Sequence, residues 1–168
     1  MRITTSVLSI LVLMTSIVGC KDDDDLTLPP VTVKGANTFG CRVNGVIYVP
    51  GGTYGDPVVD ASSDRIIVYG SQQKVNFQLT VIDTLDEPIV ANKAYYFNQD
   101  NIRCVFEDLR SKAGCSYLET PVTGYIKFAK IDFDNHIFSG VFQFTAYSSA
   151  CRKSVDITEG RFDISESL

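Results

Sequence analysis

The chain has 168 residues, 45% of them hydrophobic and 21% charged, with a formal net charge of −5. That length and apolar share predict one domain with a sizeable core. The acidic balance, with Arg152-Lys153 the only adjacent basic pair, excludes nucleic acid and anionic headgroups as partners.

Residues 1–19 read as a processing segment outside the fold. Arg2 gives the positive start, and the apolar run over 7–18 is shorter than the roughly 20 residues a spanning helix needs. The run Ile17-Val18-Gly19-Cys20 resembles a bacterial lipobox. The resemblance implies cleavage before Cys20 and acylation of its sulfur and new amino group, which makes the membrane a partner through lipid. Lys21, Asp22, Asp23, Asp24 and Asp25 cannot bury apolar area and read as a hydrated spacer. Lys21-Asp22-Asp23 also resembles the export signal of surface lipoproteins of the Bacteroidota, which implies the outer leaflet of the outer membrane. Residues 26–35, with Pro29-Pro30, continue as an extended tether, so 20–35 is the linker and 36–168 the domain.

No window of the domain has helical periodicity, whereas period-2 alternation recurs with β-branched and aromatic residues. Strands are predicted over 39–43 and 46–49 around Asn44-Gly45, a strong two-residue hairpin signal. The loop 50–57 is glycine-rich and carries Gly51, Gly52 and Tyr54, a candidate binding loop whose bland alternative is a simple connection. A hairpin follows: 65–70, a turn over 71–74, then 75–81 with Val75, Phe77, Leu79 and Val81 on one face. Residues 83–92 are a connection, and Asp83-Thr84-Leu85 resembles a three-residue O-glycan acceptor, which implies modification at Thr84. Residues 94–97 form a short strand, in which one of Tyr95 and Tyr96 faces outward. Strands 103–108 and 115–119 are predicted next, although 106–113 could hold one turn of helix. The C-terminal third reads as a meander: 124–131, a turn at Asp134-Asn135-His136, 137–147, a turn over 148–153, and 154–164. Phase breaks predict a bulge near Ala129-Lys130 and another at Gly160. The whole is an all-β, antiparallel sandwich of about 8–10 short strands, with a closed or partly closed barrel as the alternative.

With Cys20 committed to lipid, Cys41, Cys104, Cys115 and Cys151 remain, an even number in an exported chain. Three connectivities are possible, and Cys104–Cys115 with Cys41–Cys151 is the leading one. A regular hairpin of 103–108 with 115–119 would put Cys104 and Cys115 several residues out of register. Free buried thiols are the second reading. A metal site is disfavoured, since no C-x-x-C occurs and the single histidine is remote from every cysteine in sequence.

The opening stretch Gly35-Ala36-Asn37-Thr38-Phe39-Gly40-Cys41-Arg42-Val43-Asn44-Gly45 is one of two familiar ends. The other comprises Gly140-Val141-Phe142-Gln143-Phe144-Thr145-Ala146 and Ile157-Thr158-Glu159-Gly160-Arg161-Phe162-Asp163-Ile164. Together they resemble a family of small Bacteroidota lipoproteins classed as a domain of unknown function. The resemblance implies lipidation and a β-rich domain, and carries no activity, substrate or catalytic residue.

Candidate chemistry is sparse. His136 sits in a predicted turn near Asp134, and Asp132 with Asp134 is explained by that turn. Glu107 and Asp108 alternate across a strand, and Glu159 and Asp163 read as solvent-facing. No tryptophan is present, which leaves tyrosines as the only large platform for a sugar. The expectation is a non-enzymatic, surface-displayed domain without cofactor or metal, which meets an unidentified protein or glycan. The alternatives are a barrel for a small apolar ligand and a carboxylate-based hydrolase.

Overall fold

A computed structural model of the protein describes residues 26–51, 56–72, 74–83, 88–97, 99–110, 114–117 and 122–166. Cys20, Lys21, Asp22, Asp23, Gly52, Tyr54 and Thr84 lie outside these residues.

Eleven strands form in the described residues: β1 (Thr38–Val43), β2 (Val46–Tyr48), β3 (Val58–Ser62), β4 (Arg65–Tyr69), β5 (Val75–Ile82), β6 (Ala94–Tyr96), β7 (Ile102–Asp108), β8 (Cys115–Ser116), β9 (Thr123–Asp132), β10 (Ile137–Ser148) and β11 (Lys153–Ser165). They build a six-stranded sheet in the order β2-β1-β11-β10-β9-β6 and a five-stranded sheet in the order β3-β4-β5-β7-β8. Every pairing between them is antiparallel. The sheets stay separate rather than closing, so the architecture is a β-sandwich and the barrel is excluded. No helix occurs among the described residues, and Phe106–Asp108, the start of the stretch considered for a helical turn, belongs to β7.

Alternation explains the layering. Val75, Phe77, Leu79 and Val81 of β5 are all buried, and Phe142, Phe144 and Ala146 of β10 meet them from the other sheet. Phe77 is the centre of the interior. Its ring lies 4.7 Å from Phe106, 5.2 Å from Tyr48 and 5.5 Å from Phe39, with Phe142 and Phe144 at 6.4 and 6.5 Å. Tilted and edge-on contacts at these spacings add to the area each ring removes from water. Burying one such ring contributes about 3 kcal/mol.

Local rules fix the turns. Asn44 and Gly45 both take positive φ, 50° and 84°, as a two-residue hairpin turn requires. The predicted bulge in β9 is present: Lys130 faces Ser139 and Phe128 faces Gly140, leaving Ala129 without a partner. Ile126, Phe128 and Ile131 therefore all reach the core. The bulge in β11 falls just before the expected glycine. Phe142 faces Gly160 and Phe144 faces Ile157, so Thr158 and Glu159 together oppose Gln143. Glu159 takes the positive φ, 51°. Gly160 serves space instead, because a Cβ there would stand 2.5 Å from the Phe142 ring.

Two elements differ from expectation. β3 turns only Val59 and part of Ala61 inward, an alternation too short to mark a strand in sequence. β8 is two residues long instead of five.

Candidate functional site

The hairpin of β1 and β2 stands against the end of β7, Arg110 and Tyr117 across an open cleft of about 280 Å³. Its walls are Val43, Val46, Ile47 and Val155 on one side and Phe106 and Tyr117 on the other, with Tyr48 between. The hairpin is held in place by its own turn. Asn44 donates its amide to the Asp156 carbonyl at 2.8 Å, and its side-chain oxygen accepts the Asp156 amide at 2.9 Å. Tyr48 is buried and its hydroxyl donates to the Gly70 carbonyl at 2.9 Å, which ties β2 to the end of β4. Burial pushes both the Tyr48 and Tyr117 phenols up, so both stay neutral.

The charged groups of the cleft are Asp108 and Arg110. Arg110 donates Nε to Asp108 Oδ1 at 2.8 Å and Nη2 to Oδ2 at 2.6 Å, a two-pronged fit. The Arg110 amide also donates to Oδ1, at 3.1 Å. The Arg110 hydrogen bonds hold the Asp108 carboxyl below its ordinary range against the opposing effect of burial. A carboxylate tied this way is a poor proton acceptor. The cleft therefore offers apolar walls, two phenols and an outward guanidinium, a set suited to contact rather than to proton transfer.

The cysteines depart from the expected pairing. Cys115 bonds to Cys151, joining β8 of one sheet to the turn between β10 and β11 of the other. Cys41 and Cys104 are free and buried. Cys115 faces Asp108 in the ladder, four residues along β7 from Cys104. At about 3.3 Å per residue that offset is about 13 Å, beyond the span of a disulfide. Cys104 instead faces Leu79 inside the core, and Cys41 faces Tyr48 across the hairpin. With Cys151 already bonded, Cys41 is left as a core residue. Burial pushes both free thiols up to about 12, which leaves them un-ionised and inert.

Asp163 is the second correction. Phe162 and Ile164 point into the core, so Asp163 points outward from β11, yet it is only 1% exposed. Residues 28–35 lie over it as a strap. Thr32 Oγ1 donates to its Oδ2 at 2.5 Å, the Lys34 amide to Oδ2 at 3.0 Å and the Gly35 amide to Oδ1 at 2.8 Å. Burial raises the carboxyl's pKa, but the bonds from Thr32, Lys34, Gly35 and Ala36 outweigh it and hold it below the ordinary range. Further along, Arg161 donates to the Pro29 carbonyl at 3.4 Å, and a Cβ on Gly40 would meet Pro29 at 2.6 Å. The contacts of the folded unit thus reach back to Leu28 and Pro29. An outward aspartate on a last strand gives no sequence signal of a strap above it.

The remaining candidates are dispersed. Tyr95 is buried and Tyr96 is 52% exposed, as the alternation requires; Tyr96 meets Tyr125 edge-on at 6.3 Å on the outer face of the six-stranded sheet. His136 takes φ 54° in the turn before β10, with Nδ1 3.5 Å from a Glu166 oxygen. Asp132 accepts from the Asn135 amide at 2.9 Å and pairs with Lys130 at 3.0 Å. The backbone and side-chain bonds from Asn135 and Lys130 hold its carboxyl down at about 2. Of the three residues singled out in the expected binding loop, Gly51 alone is described, and a Cβ there would meet nothing within 4 Å. Among the described residues, no group of three or more His, Cys, Asp or Glu side chains is placed to hold a metal ion. No described helix is long and apolar enough to cross a membrane. No protein-family model, no curated protein and no solved structure matches the chain.

Proposed function

We propose that the protein is a lipid-anchored β-sandwich displayed at the outer membrane surface, where it binds a protein or glycan partner without catalysing a reaction. The observation that carries this reading is the strap on Asp163. With it the contacts of the folded unit reach back to Leu28, eight residues after Cys20, so the domain is held within about 30 Å of an acylated cysteine. A domain fastened so close to its anchor is suited to display. The locked Asp108–Arg110 pair favours binding over acid–base work in the cleft. An oxidised Cys115–Cys151 bridge accords with a location outside the cytoplasm.

Fractionation and surface proteolysis of producing cells test the reading. The wild-type chain should sediment with the outer membrane and be removed by protease added to intact cells. The Cys20→Ser variant should leave the membrane fraction. Full protection of the wild type would remove surface display, and an unchanged distribution of the variant would remove the anchor.

A further inference from the structure

We infer that the outer side of the strap is a lipid-docking surface, and that it seats the domain on a zwitterionic bilayer face. The inference rests on the anchored reading above and adds an orientation to it. Thr32 points inward to Asp163. Val31 and Val33, on either side of Thr32, are 58% and 45% exposed. Leu26 is exposed as well. The two valines flank the residue that bonds Asp163 and face solvent while it is held. Three hydrogen bonds to Asp163, from Thr32 and the amides of Lys34 and Gly35, fix the strap, so presenting these valines needs no further ordering of the chain.

The occupant follows from chain length and charge. Leu26 is six residues from Cys20, so a lipidated cysteine holds it within about 20 Å of the acyl chains. Residues 26–37 carry one charge, Lys34, whose stem can lie along the interface with its ammonium among phosphates. Asp22, Asp23, Asp24 and Asp25 stand between the anchor and the strap and repel an anionic surface. A zwitterionic lipid face therefore fits, whereas an anionic one does not.

The chain has no tryptophan, so one introduced indole reports its own surroundings. Full-length Val31→Trp, Val33→Trp and Val58→Trp proteins, extracted from membranes, are reconstituted with phosphatidylcholine vesicles carrying brominated acyl chains. Val58 is exposed on the outer face of the five-stranded sheet and is the reference. The exposed positions spare the core, and the intact fold is checked by the Cys115–Cys151 bridge. Quenching at positions 31 and 33 should exceed that at 58 by about twofold or more, with a blue shift at the strap alone. Co-flotation with vesicles reads the anchor separately. Protein that floats but shows equal quenching at all three sites overturns the docking surface and spares the anchor. Protein that fails to float overturns both. A blue shift that grows with protein concentration in detergent, without vesicles, means that a second copy covers the strap and overturns the lipid assignment.

Discussion

Replacing Asp163 by Asn should release the strap while leaving the sandwich folded. The carboxylate accepts three hydrogen bonds, from Thr32 and the amides of Lys34 and Gly35. Bonds to a charged acceptor contribute about 1.5–3 kcal/mol each. Asn keeps one acceptor oxygen and turns an NH₂ group toward donors, so at least one bond becomes a donor–donor clash. Once the strap lifts, its amides regain water, which limits the loss. The expected destabilisation is about 2–4 kcal/mol at pH 7. Its pH dependence has a fixed sign. The folded carboxyl is depressed, so its contribution is complete above the unfolded value near 3.9 and is lost as pH falls through the folded value. The gap between wild type and variant should therefore close in acid. Urea unfolding across pH 2–7 measures the gap, and amide exchange at Lys34 and Gly35 locates it. A variant within about 0.5 kcal/mol of wild type at pH 7, or a gap that persists unchanged in acid, would refute the clamp.

Other expected outcomes follow from the core and the bridge. Peptide mapping without reductant should recover Cys115 joined to Cys151, with Cys41 and Cys104 alkylated only after unfolding. Cys151→Ser should cost about 4 kcal/mol by the loop-entropy relation for a 36-residue separation, read as a lower urea midpoint. Phe77→Ala should cost about 3–5 kcal/mol, because five aromatic neighbours lose their common partner. Gly160→Ala should cost about 1–3 kcal/mol and lower the thermal midpoint, since its Cβ would press on the Phe142 ring; Phe142→Leu should recover part of that loss.

The sandwich was legible where one side chain in two had to be buried. Val75 to Val81 and Phe142 to Ala146 declare a face without help from distant residues, and Asn44-Gly45 declares its turn through positive φ. The unpaired Ala129 was readable as a phase break between Phe128 and Ile131. What stayed hidden depended on contacts distant in sequence. Asp163 sits at an outward strand position, and only a strap 128 to 131 residues away makes it buried. The bridge was misread even though a regular hairpin already put Cys104 and Cys115 out of register; the ladder places Cys104 opposite Leu79 rather than near Cys115. Gly160 looked like a bulge residue from phase alone, whereas its size is set by Phe142 on the neighbouring strand. The cleft had no signal at all: Val43, Phe106, Tyr117 and Val155 read as four separate strand residues until the two sheets are stacked.

The proposed display at a membrane depends on the chemistry of one sulfur. Intact mass and N-terminal peptide analysis of the protein extracted from membranes should find a mature chain that begins at Cys20, carrying acyl groups on the thioether and the amine. A mature chain that retains residues before Cys20, or one whose Cys20 thiol is free, would contradict the account.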